Sequence, residues 1–118
     1  MGALSLPKAA RLSRRAEFDR VRRDGSSWHG RLMVLGGWLS GSAEPPRLGV
    51  ITAGRTGSAV ERARLRRRVR EIFRQQRPLL PRGLWMVVVL RRAAAGAAFA
   101  ALLEEWRTLS VRAGFLTS

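Results

Sequence analysis

The stretch Leu84–Leu90, LWMVVVL, constrains the fold more than any other part of this chain. Seven apolar residues without polar alternation describe a strand covered on both faces, and such a strand belongs in the middle of a sheet. The run falls far short of the roughly 20 apolar residues that span a bilayer. At 118 residues the chain is read as one domain, 1–118, with 1–10 as a flexible tail. Its opening, MGALSLPKAARL, has no apolar core of signal-peptide length before Pro7 and Lys8. There is no cysteine, hence no disulfide, thiolate nucleophile or sulfur-ligated metal, and the expected compartment is the cytoplasm.

Other segments supply the cover. Ser13 is placed to cap a helix through Arg14 to Asp24, stopped by Gly25, with Phe18 and Val21 on its apolar stripe. The run from Trp28 to Ser40 reads as a strand, with Gly30 and the Gly36-Gly37 pair as bulges or points of close backbone approach. Gly41 to Pro46 is a turn, and Arg47 to Gly54 resumes as a second strand that closes a hairpin. Ser58 can cap a helix from Ala59 to about Gln76, which ends before Pro78. After the central strand, a last helix from about Ala97 to Ala113 sets Phe99, Leu102, Leu103, Trp106 and Leu109 at helical spacing. The order predicts an α+β fold, a small two-layer sandwich with helices on a sheet of about four strands.

The formal net charge is +15, from 23 Lys and Arg against 8 Asp and Glu, and Lys8 is the only lysine. That balance calls for a polyanionic partner, nucleic acid before membrane. Arginine suits it, because the planar guanidinium binds phosphate through two donors and stacks on bases. The charge concentrates on residues 59–76, where Arg62, Arg64, Arg66, Arg67, Arg68, Arg70 and Arg74 face only Glu61 and Glu71. Like charges three and four residues apart on a helix repel by about a few tenths of a kcal/mol per pair, so this segment needs an anionic partner to offset its own repulsion. On a helical wheel Leu65, Val69, Ile72, Phe73 and Gln76 form the core side. Arg66, Arg67, Arg70 and Arg74 lie opposite, and Arg64 and Arg68 flank them. Phe18, Trp28 and Trp38 add stacking surfaces.

Catalysis by the protein itself has little to draw on. His29 is the only histidine and reads as a partly exposed spacer or RNA contact rather than a catalytic group. The acids Glu17, Asp19, Asp24, Glu61, Glu71, Glu104 and Glu105 fall on helices or their ends among cations and read as surface ion partners, and Glu44 lies in a turn. No strand carries an acid, and neither a Walker loop nor a dinucleotide-binding glycine pattern occurs. No catalytic residue and no protein-bound metal or cofactor is expected.

Beyond this reading, Gly57 to Arg74, GSAVERARLRRRVREIFR, resembles the signature of the bacterial ribonuclease P protein subunit. Arg62 and Arg64 match the outer arginines of its Arg-Asn-Arg motif, Arg66 and Arg67 its basic pair, and Arg70, Glu71 and Phe73 its closing group. The segments RLSRRAEFDRVRRDGSS, RLMVL, RLGVI and GLWMVVVLRR fit the family in order, so the likeness covers most of Arg11 to Phe115. The resemblance implies the order αβββαβα with a short first strand and a left-handed βαβ crossover, a ribosomal protein S5 domain 2-like fold. From the residues alone a right-handed crossover is expected.

The resemblance also implies the partners: a catalytic RNA, and precursor tRNA whose 5′ leader is removed with magnesium held by the RNA–protein holoenzyme. The protein is then a monomer, one per RNA, that binds no membrane. It implies that Arg62, Arg64, Arg66, Arg67, Arg68, Arg70 and Arg74 bind the catalytic RNA, while a cleft between the sheet and the first helix holds the leader through Phe18, Arg22, Trp28, Trp38 and Arg55. The chain departs from the pattern at Ala63, which replaces the central asparagine, at Arg22 and Gly36, which replace frequent aromatics, and at Ala53-Gly54-Arg55, which replaces a serine-lysine stretch. Either Arg22 stacks its guanidinium on a base, or Trp28 or Trp38 substitutes from nearby. The same charge would also serve a small ribosomal or general RNA-binding protein without a part in tRNA processing, and less readily a protein-only nuclease.

Overall fold

The computed structural model describes residues 5–54 and 56–117. Its elements run α1 (Arg15–Asp24), β1 (Ser26–His29), β2 (Met33–Leu39), β3 (Arg47–Thr52), α2 (Ala59–Gln76), β4 (Leu84–Leu90) and α3 (Phe99–Arg112), with short 3-10 turns at Lys8–Ala10, Arg77–Leu79 and Arg92–Ala94. The strands form one mixed sheet in the order β1-β2-β4-β3, antiparallel except for the parallel β3–β4 pair, which α2 connects. β4 is central, as its continuous apolar run requires.

The pleat divides β4 between two packing layers. Leu84, Met86, Val88 and Leu90 face Leu65, Val69, Ile72 and Phe73 of α2 and Leu102, Trp106 and Leu109 of α3 in the main core. Val87 points to the other face, where it meets Val21 of α1 and Leu12, with Phe18, Trp38, Trp85 and Val89 packed around them. α1 covers only part of this second face. Leu6 and Ala10 are buried, so the chain joins the core well before Arg11, ahead of the expected end of a tail at residue 10.

Two local expectations change. The run from Trp28 to Ser40 is two strands, because the chain reverses at Gly30–Leu32 and β1 folds back on β2 with Trp28 opposite Leu35. β3 does not close a hairpin with β2. β4 lies between them, pairing Leu35 with Val88 on one side and Val50 with Val88 on the other. The Gly41–Pro46 turn thus passes over the end of the sheet, and Gly83 N–H donates to the Glu44 carbonyl at 2.8 Å. Gly36 and Gly37 sit in regular ladder positions rather than bulges, opposite Val87 and Met86.

The entries of α1 and α2 are fixed by side chains. Ser58 Oγ accepts from Glu61 N–H at 3.1 Å while Ser58 N–H donates to the Glu61 carboxylate at 3.3 Å, the reciprocal cap that starts α2. Ser13 does not cap α1. Instead the Glu17 carboxylate accepts from the N–H groups of Ser13 and Arg14, both at 2.9 Å. Among the described residues no helix is long and apolar enough to cross a membrane.

Candidate nucleic-acid interface

α2 buries one stripe and presents cations on the rest of its surface. Leu65, Val69, Ile72 and Phe73 are its buried residues, four of the five that the wheel sets on the core side, while Gln76 is half-buried and accepts from Arg107 at 3.2 Å. Of its seven arginines only Arg74 forms an ion pair among the described residues, with Glu71 at 2.6 Å. The Arg74 guanidinium holds the Glu71 carboxyl below its ordinary range, and the same bond raises Arg74.

Three arginines are tied to backbone or hydroxyl oxygens. Arg62 donates to the carbonyls of Gly54 and Gly57 at 3.1 and 3.0 Å, holding the loop that leads into the helix. Arg66 lies beside β3 rather than opposite the core, and donates to Thr52 Oγ1 at 2.9 Å. Arg68 reaches the other flank and donates to the Ala97 carbonyl at 2.8 Å. Arg64 and Arg67 remain exposed. Arg70 is partly buried, and that burial together with nearby Arg11 and Arg66 lowers its pKa from the ordinary arginine value. Burial is the larger cause, and like charge crowded where α2 meets the N-terminal segment adds to it, a part that an anion would relieve.

On the other face of the sheet, the part that α1 leaves open is a cleft of about 710 Å³. Its floor is aliphatic: Val34, Val87, Val89 and Ile51 surround the bare backbone of Gly36. Phe18, Val21 and Arg22 of α1 form one wall, and Ser26 and Ser27 of β1 lie at the sheet edge. The Phe18 ring lies directly on the backbone of Gly49, where any Cβ would collide with it. On the rim Asp19 lies between Arg15 and Arg22, at 3.9 and 3.0 Å, and both arginine side chains are largely exposed. Phe18 also borders a smaller hollow with Lys8, Arg11 and Arg70. A cationic path therefore leads round the β3 edge from α2 to the cleft.

The expected leader-binding residues separate. Phe18 and Arg22 line the cleft. Trp28 does not: the register of β1 turns it to the α3 face, where its ring meets Phe115 edge-on at 5.5 Å. Trp38 is on the α1 face but is packed edge-on against Trp85 at 5.2 Å and covered by the Arg20 guanidinium at 4.6 Å, so it is engaged outside the cleft. Arg55 lies outside the described residues. His29 is exposed at the end of β1.

Several acids read as surface ion partners have other roles. The Glu105 carboxylate accepts from the N–H groups of Arg31, Leu32 and Met33 at 2.8–2.9 Å and fixes the β1–β2 turn. Glu17 is partly buried beside Arg47, with N···O 2.8 Å. Burial alone would raise its pKa, but the N–H groups of Arg14 and Ser13 and the Arg47 guanidinium outweigh that effect and hold the carboxyl below its ordinary range. Among the described residues no group of three or more His, Asp or Glu side chains gathers to hold a metal ion.

Residues 6–114 match the Ribonuclease P family model. The chain belongs to the ribonuclease P protein family. The ribonuclease P protein component of Roseiflexus castenholzii is 38% identical over 110 residues, covering 92% of this chain and 89% of that protein. The fold recurs in the RNase P protein of Staphylococcus aureus, with a TM-score of 0.85 over 93% of this chain and 100% of that one at 23% identity. It recurs as well in the Thermotoga maritima RNase P protein, at 29% identity and a TM-score of 0.76 over 86% and 96% of the two chains. As a ribonuclease P protein the chain has its role in a ribonuclease complex of tRNA processing.

Proposed function

We propose that this protein is the RNA-binding subunit of a ribonucleoprotein endonuclease that removes the 5′ leader of precursor tRNA, docking on the catalytic RNA through α2 and holding the single-stranded leader in the α1–sheet cleft. One observation carries the reading. A largely unneutralised arginine helix and an open, apolar, cation-rimmed cleft occupy different sides of one small domain, so two RNA segments can be held at once. Phosphate neutralisation with counterion release supplies affinity for a folded RNA whatever its sequence, and an apolar cleft beside Phe18 suits unpaired bases, whose faces are apolar.

The residues derive the protein's share without a catalytic group. The side chains gathered here bind and orient, and the hydrolytic chemistry belongs to the RNA and its magnesium ions. Arg64 and Arg67 are free to meet phosphate, Arg62 ties the start of the ridge to its loop and Arg68 ties its middle to Ala97, and Arg66 and Arg70 continue the charge toward the cleft.

The reconstituted complex should bind precursor tRNA carrying a leader more tightly than the same tRNA without one, measured as paired dissociation constants in calcium, where cleavage is slow. Equal affinities would instead favour a general RNA-binding protein, which uses the same charge without recognising a leader.

A further inference from the structure

Four of the chain's five prolines meet at one hollow. Pro7 comes from the N-terminal segment, Pro45 and Pro46 from the connection between β2 and β3, and Pro78 from the turn that follows α2, and together they wall a space of about 310 Å³ at the C-terminal end of that helix. Turn chemistry accounts for each proline where it stands, but not for three remote segments presenting their rings to one another. Pro7, Pro45 and Pro78 are exposed. A proline ring has no rotamer freedom to lose when something covers it, so such a wall meets an apolar face at little entropic cost.

The rim is cationic. Arg74, Arg77 and Arg82 border the hollow, and none of its lining residues is acidic. Arg77 donates from Nε to the Pro46 carbonyl and Arg82 from Nη1 to the Ala43 carbonyl, both at 2.9 Å, so each guanidinium is held in place through a single nitrogen. Neither pairs with a carboxylate among the described residues. Arg77 is partly buried, and burial lowers its pKa from the ordinary arginine value with no acid to offset it. An anion brought to that guanidinium would restore what burial takes away.

The hollow also continues the exposed side of α2. Arg67, Arg70, Arg74 and Arg77 follow one another at intervals of three and four residues, which sets them in one row along the helix. Leu6 borders both the groove beside Arg67 and Arg70 and the hollow itself. An RNA laid along this row therefore reaches the proline walls at its end. Rigid apolar walls with guanidinium donors at the rim suit a flat apolar face attached to an anion, as in a nucleotide turned out of a folded RNA, because proline packs on base faces and arginine binds phosphate.

We infer that the proline hollow takes one unpaired nucleotide of the catalytic RNA, with its base against the proline rings and its phosphate on Arg77 and Arg82. This rests on the reading of α2 as the side that docks on that RNA, and adds to it an anchor beyond the helix that shares no residue with the α1–sheet cleft.

The chain has no cysteine, so Leu79→Cys, two-thirds exposed in the same turn as Pro78 and outside the lining, gives a single thiol beside the hollow. Carrying iron–EDTA and reconstituted with the catalytic RNA, this variant should cut that RNA by hydroxyl radicals around one unpaired nucleotide. Removing the base of that nucleotide should weaken binding of the wild-type protein about tenfold, the scale of one stacked base. Pro45→Gly with Pro78→Gly should weaken binding of the intact RNA by a similar factor and pay nothing further for the missing base. If that pair does not fold, Arg82→Ala carries the test and should flatten the log–log salt dependence by about one unit. Cuts confined to precursor tRNA would assign the hollow to the substrate and overturn the inference, as would no cuts in the catalytic RNA, an equal abasic penalty with and without the proline rings, or an unchanged slope in Arg82→Ala. Weaker binding by Arg64→Ala with Arg67→Ala would in that case leave the docking of α2 standing, whereas unchanged binding by that pair would remove the reading on which the hollow rests.

Discussion

At the scale of single residues, the distribution of acids decides what the arginines are free to do. Asp19 and Asp24 pair with arginines on α1, Glu17 with Arg47, and Glu61 and Glu105 with backbone N–H groups; among the described residues only Glu71 forms an ion pair with an arginine of α2. Glu105 is the acid whose loss should matter most to the fold. Three N–H groups converge on it, those of Leu32 and Met33 belong to buried residues, and a hydrogen bond to a charged acceptor contributes about 1.5–3 kcal/mol. Glu105→Ala should therefore lower unfolding free energy by about 2–3 kcal/mol in a urea titration, with Glu105→Gln losing less. An unchanged midpoint for the alanine variant would mean that the turn holds without it. This role was not legible in the sequence, because 72 to 74 residues separate the carboxylate from its donors and only the packing of α3 beside the β1–β2 turn brings them together. Trp28 carries the same lesson. An aromatic residue in a strand declares that it will pack, but the register of β1 alone decides on which face.

At the scale of elements, what depends on local pattern was legible and what depends on remote pairing was not. The bounds and cap of α2, its buried stripe and the central position of β4 follow from spacing, a Ser-x-x-Glu signal and an unbroken apolar run. The insertion of β4 between β2 and β3 leaves no trace in Gly41–Pro46, which reads like any hairpin turn. The wheel likewise set Arg66 opposite the core, whereas β3 lies close enough along that flank for Thr52 to capture it. The cleanest test of the α2 surface is therefore Arg64→Ala together with Arg67→Ala, since both are exposed and neither holds the fold. The pair should weaken binding to the catalytic RNA and flatten the log–log salt dependence by about two units, roughly one for each lost phosphate contact. An unchanged slope would place those side chains away from phosphate.

At the scale of the whole molecule, a net charge of +15 on 118 residues suits the proposed task of bringing polyanions together. Catalytic RNA and precursor tRNA repel, and multivalent cations are what RNA uses by itself to reduce that repulsion. A domain with cations along α2 and around the cleft rim does the same with fixed charges, which lose no counterion-like mobility on binding and are screened only beyond about 8–10 Å at moderate salt. On the proposed reading, the helix that opposes its own folding through like-charge repulsion is stabilised by the RNA docked on it. The most direct measurement is the magnesium concentration at which the catalytic RNA cleaves precursor tRNA at half its maximal rate, with and without the protein, at fixed monovalent salt. The account predicts a lower midpoint with the protein and no cleavage by the protein alone; a midpoint that the protein leaves unmoved would contradict it.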